Sequence, residues 1–207
     1  MIAAQKGTDM STLALNIRMH DKLAVVIGGG AVALRKLRTL LNAGASVKVT
    51  AMTICPEIAA LEDSGKLTVR LGDYEDSDLD NAFMVIAATD NALVNKQVCS
   101  AARARGIIAA VADDPGAGDC IFPATLRRGD LEIAVSTGGR CPTFAVDVRD
   151  RIAGYVGSEF EAILDQLAAE REKLLTNGSP STYNARALRS LAGRLLADLT
   201  DRKDSLP

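Results

Sequence analysis

The chain has 207 residues, 48% hydrophobic but only 3% aromatic, with no Trp, 24% charged residues and a formal net charge of −2. These values exclude a disordered or collagen-like chain, leave no electrostatic footprint for duplex nucleic acid, and supply few rings for stacking on single strands. No apolar run approaches the roughly 18 residues that span a bilayer, and the first twelve residues lack the apolar core of a signal peptide, so no membrane partner and a cytoplasmic setting are expected.

Ala fills 33 positions, so burial must come from Val, Ile, Leu and Ala packed closely, as helices laid on a sheet would do. Leu23-Ala24-Val25-Val26-Ile27 reads as a strand covered on both faces and runs into Gly28-Gly29-Gly30. A helix over 31–43 follows, ended by Gly44, then a strand over 46–50. Pro56 opens a helix that reaches about Asp63. Strands over 67–71 and 83–88 follow. Asp90 is placed to cap a helix that runs to about Arg105 and stops at Gly106. A fifth strand covers 107–111. Strands alternating with helices imply right-handed crossovers and an open parallel sheet, an α/β Rossmann-like fold.

After Val111 the pattern changes. Residues 113–119 read as a loop. Strands are expected over 121–124 and 131–135, joined around Arg127-Arg128-Gly129-Asp130. Helices are expected over 142–155, 158–175 and 182–202, with a break at 177–180. The domain reading is a nucleotide-binding domain over 1–114, a central segment over 115–150 and a helical C-terminal domain over 151–207.

Gly28-x-Gly30-x-x-Ala33 sits between a strand and a helix, the context that gives a glycine pattern its meaning. Gly28 permits the tight turn, Gly30 lets a pyrophosphate approach the backbone, and Ala33 allows close helix–strand packing. The free N–H groups of the helix start, at Ala31 and Val32, then face the anion. A tight turn with no ligand is the plain alternative. The acid that holds the ribose should end the second strand, but Val49-Thr50-Ala51 carries no carboxylate, so Thr50 is the candidate there. Local chemistry leaves NAD and NADP open. Thr89, Asp90 and Asn91 end the fourth strand at the carboxyl edge where ligands of open sheets bind. They complete a cofactor-binding set with Gly28, Gly29, Gly30, Ala31, Val32 and Thr50.

Asp113 ends the fifth strand on that same edge. A carboxylate beside a second one in a partly dry cleft can act as a base, and a solvated turn aspartate is the alternative. Ser136-Thr137-Gly138-Gly139-Arg140 follows another strand. Its hydroxyls, N–H groups and guanidinium suit carboxylates, and Arg127 and Arg128 lie nearby in sequence. Cys55, Cys99, Cys120 and Cys141 are scattered and His20 is the lone histidine, so no protein-built metal site is expected.

Together these segments resemble the precorrin-2 dehydrogenase family, the siroheme synthase dehydrogenase/ferrochelatase module. The resemblance rests on Val25-Val26-Ile27-Gly28-Gly29-Gly30-Ala31-Val32-Ala33-Leu34-Arg35-Lys36, Ala87-Ala88-Thr89-Asp90-Asn91 with Val94-Asn95, and Asp113-Asp114-Pro115. It continues through Cys120-Ile121-Phe122-Pro123-Ala124, Arg127-Arg128-Gly129-Asp130-Leu131 and Ala134-Val135-Ser136-Thr137-Gly138-Gly139. It implies NAD-dependent oxidation of precorrin-2 to sirohydrochlorin on the route to siroheme. Asp113 falls on the family's key aspartate, and Thr137 on its hydroxyl before the Gly-Gly pair. Cys141 departs from the pattern, which often has Ser before the proline. The resemblance further implies a homodimer and, in some members, insertion of iron or cobalt as a second substrate. Thr137, Gly138, Arg140, Arg127 and Arg128 are the residues expected to bind the polycarboxylate tetrapyrrole. Two rival readings remain open at this point, a dehydrogenase of a small hydroxy acid and an NAD(H)-binding regulatory module.

Overall fold

The structure, a computed structural model, describes residues 12–112, 114, 116–176 and 181–204, without the side chains of 181–183 and 200–204. Strands β1 (Leu23–Ile27), β2 (Ser46–Ala51), β3 (Thr68–Leu71), β4 (Met84–Ala87) and β5 (Ile108–Val111) are all parallel, in the order β3-β2-β1-β4-β5. Helices α1 (Ala31–Asn42), α2 (Pro56–Asp63) and α3 (Ala92–Ala104) connect them. The strand order reverses between β1 and β4, and the carboxyl ends of those two strands form the switch point of the sheet.

Alternate residues of β1, β4 and β5 feed two apolar layers, which is why those strands read as unbroken apolar runs. Ala24, Val26, Val47, Val49, Ile86 and Ala110 pack with Ala33, Leu37, Leu40 and Ile58 of α1 and α2. Val25, Ile27, Val85, Ala87, Ala109 and Val111 pack with Val98, Cys99 and Ala102 of α3. The small residues Ala24, Ala33 and Ala102 are fully buried, which lets helix and sheet backbones approach closely. Gly44 ends α1 at φ +77°: its N–H bonds the Leu41 carbonyl while the Ala45 N–H bonds that of Leu40. This paired closure needs a left-handed residue, as does the same closure at Gly106 after α3.

A 3₁₀ turn over Asp76–Leu79 packs Leu79 into the α3 layer and brings Asp78 to Lys48 of β2 and Arg70 of β3. Its Asp78 side chain, 1% exposed, accepts from Arg70 Nε at 2.8 Å, from Arg70 Nη2, and from the Glu75 N–H at 3.0 Å, and pairs with Lys48 Nζ at 3.0 Å. Burial alone would raise this carboxyl's pKa, but the Arg70, Glu75, Lys48 and Thr50 groups around it outweigh burial and hold it well below the usual carboxylate range.

The chain divides into two compact units between Phe122 and Pro123. Residues 116–122 run with the first unit, in which Cys120 and Phe122 pack on the α1 layer. Asp119 donates its N–H to the Ala109 carbonyl at 2.7 Å and accepts the Ala109 N–H at Oδ2 at 3.1 Å. Arg103 of α3 reaches both Asp119 Oδ1 and the Ala117 carbonyl.

The second unit holds the hairpin β6 (Ala124–Arg128) and β7 (Leu131–Val135), followed by α4 (Pro142–Tyr155), α5 (Glu159–Thr176) and α6 (Ser181–Asp204). The strand expected over 121–124 is thus displaced to Ala124–Arg128. The turn uses only Gly129 and Asp130, with positive φ at Gly129 alone (+55°), so pairing Arg128 with Leu131 forces the register back to Ala124. Phe122 is claimed by the first unit, and Pro123 cannot donate to a ladder. Among the described residues of this unit only Leu126, Ala145 and Asn184 are buried.

Candidate functional site

The glycine turn is built where β1 leaves the sheet. Gly28 donates its N–H to the Thr50 carbonyl at 2.8 Å, and the Gly29 carbonyl accepts the Cys55 N–H at 2.9 Å. A Cβ on Gly28 would stand 2.3 Å from the Ala88 carbonyl oxygen, and one on Gly29 would stand 2.0 Å from that of Thr53. Neither position admits a side chain. Gly30 differs: a Cβ there meets nothing within 4 Å. Gly30 is the N-cap of α1, with no side-chain cap, and the first helical bond runs from Leu34 N–H to the Gly30 carbonyl. The N–H groups of Ala31, Val32 and Ala33 therefore precede the helical ladder, beside open space over Gly30. Uncapped donors at the positive end of a 12-residue helix fit a pyrophosphate. Val32, 42% exposed, borders the same opening.

The 88–91 turn abuts Gly28 from β4. Asn91, not Asp90, caps α3: Asn91 Oδ1 accepts from Leu93 N–H at 2.9 Å and Val94 N–H at 3.4 Å. Asp90 sits one residue too early for that reach and is exposed. Thr89 is turned inward. Its hydroxyl donates to Asn95 Oδ1 at 2.7 Å and accepts the Asn91 N–H at 3.2 Å. Thr50 is placed differently from expectation. Strand alternation puts it on the face of Lys48 and Asp78, 1% exposed, a near neighbour of the Asp78 carboxylate rather than a well-formed hydrogen-bond partner. It serves the turn through its backbone carbonyl, and its hydroxyl does not line the opening.

Asp113 lies outside the described residues. Its neighbour Asp114 is turned into the loop, where Oδ1 accepts the Gly116 N–H at 3.1 Å and the carbonyl accepts that of Ala117 at 3.0 Å. Lys36 lies 4.5 Å over the Phe122 ring, and burial lowers its pKa.

In the second unit, the loop between β7 and α4 turns through Gly138 and Gly139, at φ +61° and +78°. Ser136 Oγ accepts the Gly138 N–H at 3.2 Å, and Thr137 Oγ1 accepts the Cys141 N–H at 3.1 Å. Arg140 is exposed on this loop. Arg127 and Arg128 are engaged: Arg127 Nη2 pairs with Glu132 Oε2 at 2.5 Å, and Arg128 Nε donates to the Val156 carbonyl at 3.0 Å. Among the described residues no group of three or more His, Cys, Asp or Glu could hold a metal ion.

The sequence places Asn95 within the resemblance but assigns it no role at the site, and it gives no sign of the Lys48–Asp78–Arg70 cluster. Asn95 had a local signal, a polar residue on the inward face of an amphipathic helix. The cluster had none, because its members lie on different elements.

Residues 15–124 match the family model described as putative NAD(P)-binding, and residues 128–155 match that of the sirohaem biosynthesis protein central segment. A siroheme synthase from Methylococcus capsulatus is 39% identical over 165 residues, covering 80% of this chain and 35% of its own length. One from Escherichia coli is 39% identical over 143 residues, covering 69% of this chain and 31% of its own. The chain thus spans about a third of the length of these curated relatives. The solved structure of SirC, precorrin-2 dehydrogenase, has the same fold, with a TM-score of 0.68 at 24% identity over 89% of this chain and 98% of that one. The glycine turn at the β1–β4 switch point falls inside the first match, and the chain, a homologue of the siroheme synthases, belongs to this NAD(P)-binding family.

Proposed function

We propose that the chain is an NAD-dependent precorrin-2 dehydrogenase that forms sirohydrochlorin on the route to siroheme. The observation that carries this reading is the uncapped start of α1 beside the open space at Gly30, a ready site for a dinucleotide pyrophosphate. The likeness to siroheme synthases supports the substrate. NAD is favoured over NADP because Ala51-Met52-Thr53, after β2, offers no cation to a 2′-phosphate, and nearby Arg70 and Lys48 are taken by Asp78.

When bound, the nicotinamide accepts a hydride. The chain's residues then have three tasks. Ala31 and Val32 hold the pyrophosphate through N–H groups. Asp113 takes the proton that leaves the macrocycle, and in metal insertion it would take pyrrole protons as iron or cobalt enters as substrate. Thr137, Gly138 and Arg140 bind substrate carboxylates. Arg140 leads this set, because Arg127 and Arg128 already hold Glu132 and Val156.

The domain roles follow the same reading, with nucleotide binding over 1–114, dimerisation over 115–150 and a helical part over 151–207. A homodimer is supported by the exposure of Phe144 (58%), Val146 (39%) and Tyr155 (79%) on α4, beside a two-stranded hairpin that is marginal alone. A cytoplasmic setting fits the described residues, none of whose helices is long and apolar enough to cross a membrane. The test is anaerobic incubation with precorrin-2 and NAD. NADH and the sirohydrochlorin spectrum should appear together, and their absence refutes the reading. Ferrous or cobaltous ion added to sirohydrochlorin tests insertion separately.

A further inference from the structure

Asn95 is one of the few buried polar residues among those described, 2% exposed, and its side-chain amide meets Thr89 at the cofactor edge. Asn95 Oδ1 accepts both the Thr89 N–H at 3.2 Å and the Thr89 hydroxyl at 2.7 Å, while Nδ2 donates to the Thr89 carbonyl at 3.1 Å. The side-chain amide thereby pairs with the Thr89 backbone as a neighbouring strand would. It does so just beyond the end of β4, where the ladder to β1 stops with the Ala88 N–H on the Ile27 carbonyl at 2.8 Å. The peptide so held is the one that touches the glycine turn, with the Ala88 carbonyl oxygen 2.3 Å and the Thr89 nitrogen 3.1 Å from where a Gly28 Cβ would be.

We propose that Asn95 is a positioning residue for the dinucleotide: it locks the 88–91 turn against Gly28, so that both walls of the switch point are rigid before the cofactor arrives. Without this lock the turn would have to be ordered at the moment of binding, and affinity would fall accordingly. The inference rests on dinucleotide binding at this edge and not on the identity of the substrate.

Asn95→Asp keeps the shape and replaces the Nδ2 donor with an acceptor facing the Thr89 carbonyl. With the introduced carboxyl ionised, the Kd for NADH, read by equilibrium fluorescence titration, should rise about tenfold or more. Burial raises the pKa of such a carboxyl, and its protonated form again offers a donor to the Thr89 carbonyl. Affinity of the variant should therefore recover as pH falls. Lys96 and Asp114 line a small cavity with Asn95, Asp90 follows Thr89 on the turn itself, and these charged groups are common to variant and parent. The parent's profile therefore subtracts them. A role in folding alone would lower the melting temperature without creating this pH-dependent affinity.

Should Asn95→Asp fail to fold, Thr89→Val and Thr89→Ser decide. The first deletes the 2.7 Å bond and should bind NADH more weakly than the second, which keeps it. Equal Kd values for folded Asn95→Asp and parent at every pH, or for the two Thr89 variants, would overturn the inference. A parent that binds neither NADH nor NADPH would overturn the cofactor reading and this inference with it. A parent that binds NADH but leaves precorrin-2 unchanged would overturn only the proposed substrate.

Discussion

Two glycines of one turn should fail in opposite ways when each is changed to alanine. At Gly28 the new Cβ would lie 2.3 Å from the Ala88 carbonyl oxygen and 2.7 Å from its carbon, on a backbone at φ +124°. Ordinary contact begins near 3.4 Å, so one backbone segment must move by about an ångström, and each directly follows a central strand of the sheet, β1 or β4. Backbone strain of about 1–3 kcal/mol and overpacking of about 1–3 kcal/mol put the loss of stability near 4 kcal/mol. At Gly30 the backbone is extended, φ −89° and ψ −172°, and the new methyl meets nothing. Alanine is a poorer N-cap than glycine by only about 0.5–1 kcal/mol, so Gly30→Ala should fold almost as well as the parent. Its methyl instead fills the approach to the Ala31 and Val32 N–H groups, and the Kd for NADH should rise about tenfold or more. Urea unfolding followed by circular dichroism, with NADH titration of each folded variant, separates the two effects. The reasoning fails if Gly28→Ala unfolds within about 0.5 kcal/mol of the parent, or if Gly30→Ala binds NADH within about twofold of it.

Asp78→Asn removes the buried carboxylate that Arg70 and Lys48 share, leaving Arg70 with the exposed Glu75, and should cost about 1–3 kcal/mol, read by urea unfolding at neutral pH. Because the folded state depresses the Asp78 pKa, its contribution is complete above the ordinary carboxylate pKa and fades as pH falls toward the folded value. Parent and Asp78→Asn stabilities should therefore converge in strong acid. Among the cysteines, the Thr143 hydroxyl beside the exposed Cys141 sulfur favours its thiolate, whereas burial pushes Cys120 up to about 11 and raises Cys99. Iodoacetamide should thus mark Cys141 first by peptide mass spectrometry, and Cys99 and Cys120 only on unfolding. Arg140→Ala should raise the KM for precorrin-2 with NADH affinity unchanged, whereas Arg128→Ala should lose about 1 kcal/mol of stability with its bond to Val156.

The β1–α1 turn was legible because its grammar is local: an apolar strand, three glycines and an amphipathic helix lie within one stretch of chain. The helix stops at Gly44 and Gly106 were legible for the same reason. Asp90 was mistaken for the cap of α3 because Asp and Asn are both good caps, and the choice rests on a one-residue difference in where the helix begins. β6 was placed too early because Ile121 and Phe122 look like strand residues, while what fixes the register is the two-residue turn at Gly129. Thr50 was expected to face a ribose, but strand parity turns it toward Asp78, whose partners Lys48 and Arg70 come from β2 and β3. Such a three-element cluster leaves no trace in spacing along the chain. The 3₁₀ turn that carries it was missed for that reason too.

The apolar interior is divided unevenly between the two units, and that bears on how the chain unfolds. The first unit shields both faces of its central strands β1 and β4, so their amides should exchange with solvent only through rare, large openings. The second unit, with Leu126 and Ala145 as its buried apolar side chains among the described residues, should open readily and often unless something covers it. If the proposed homodimer forms through this unit, deuterium uptake over 124–176 should slow as protein concentration rises while that over β1 and β4 stays constant, because association stabilises only the part that gains a cover.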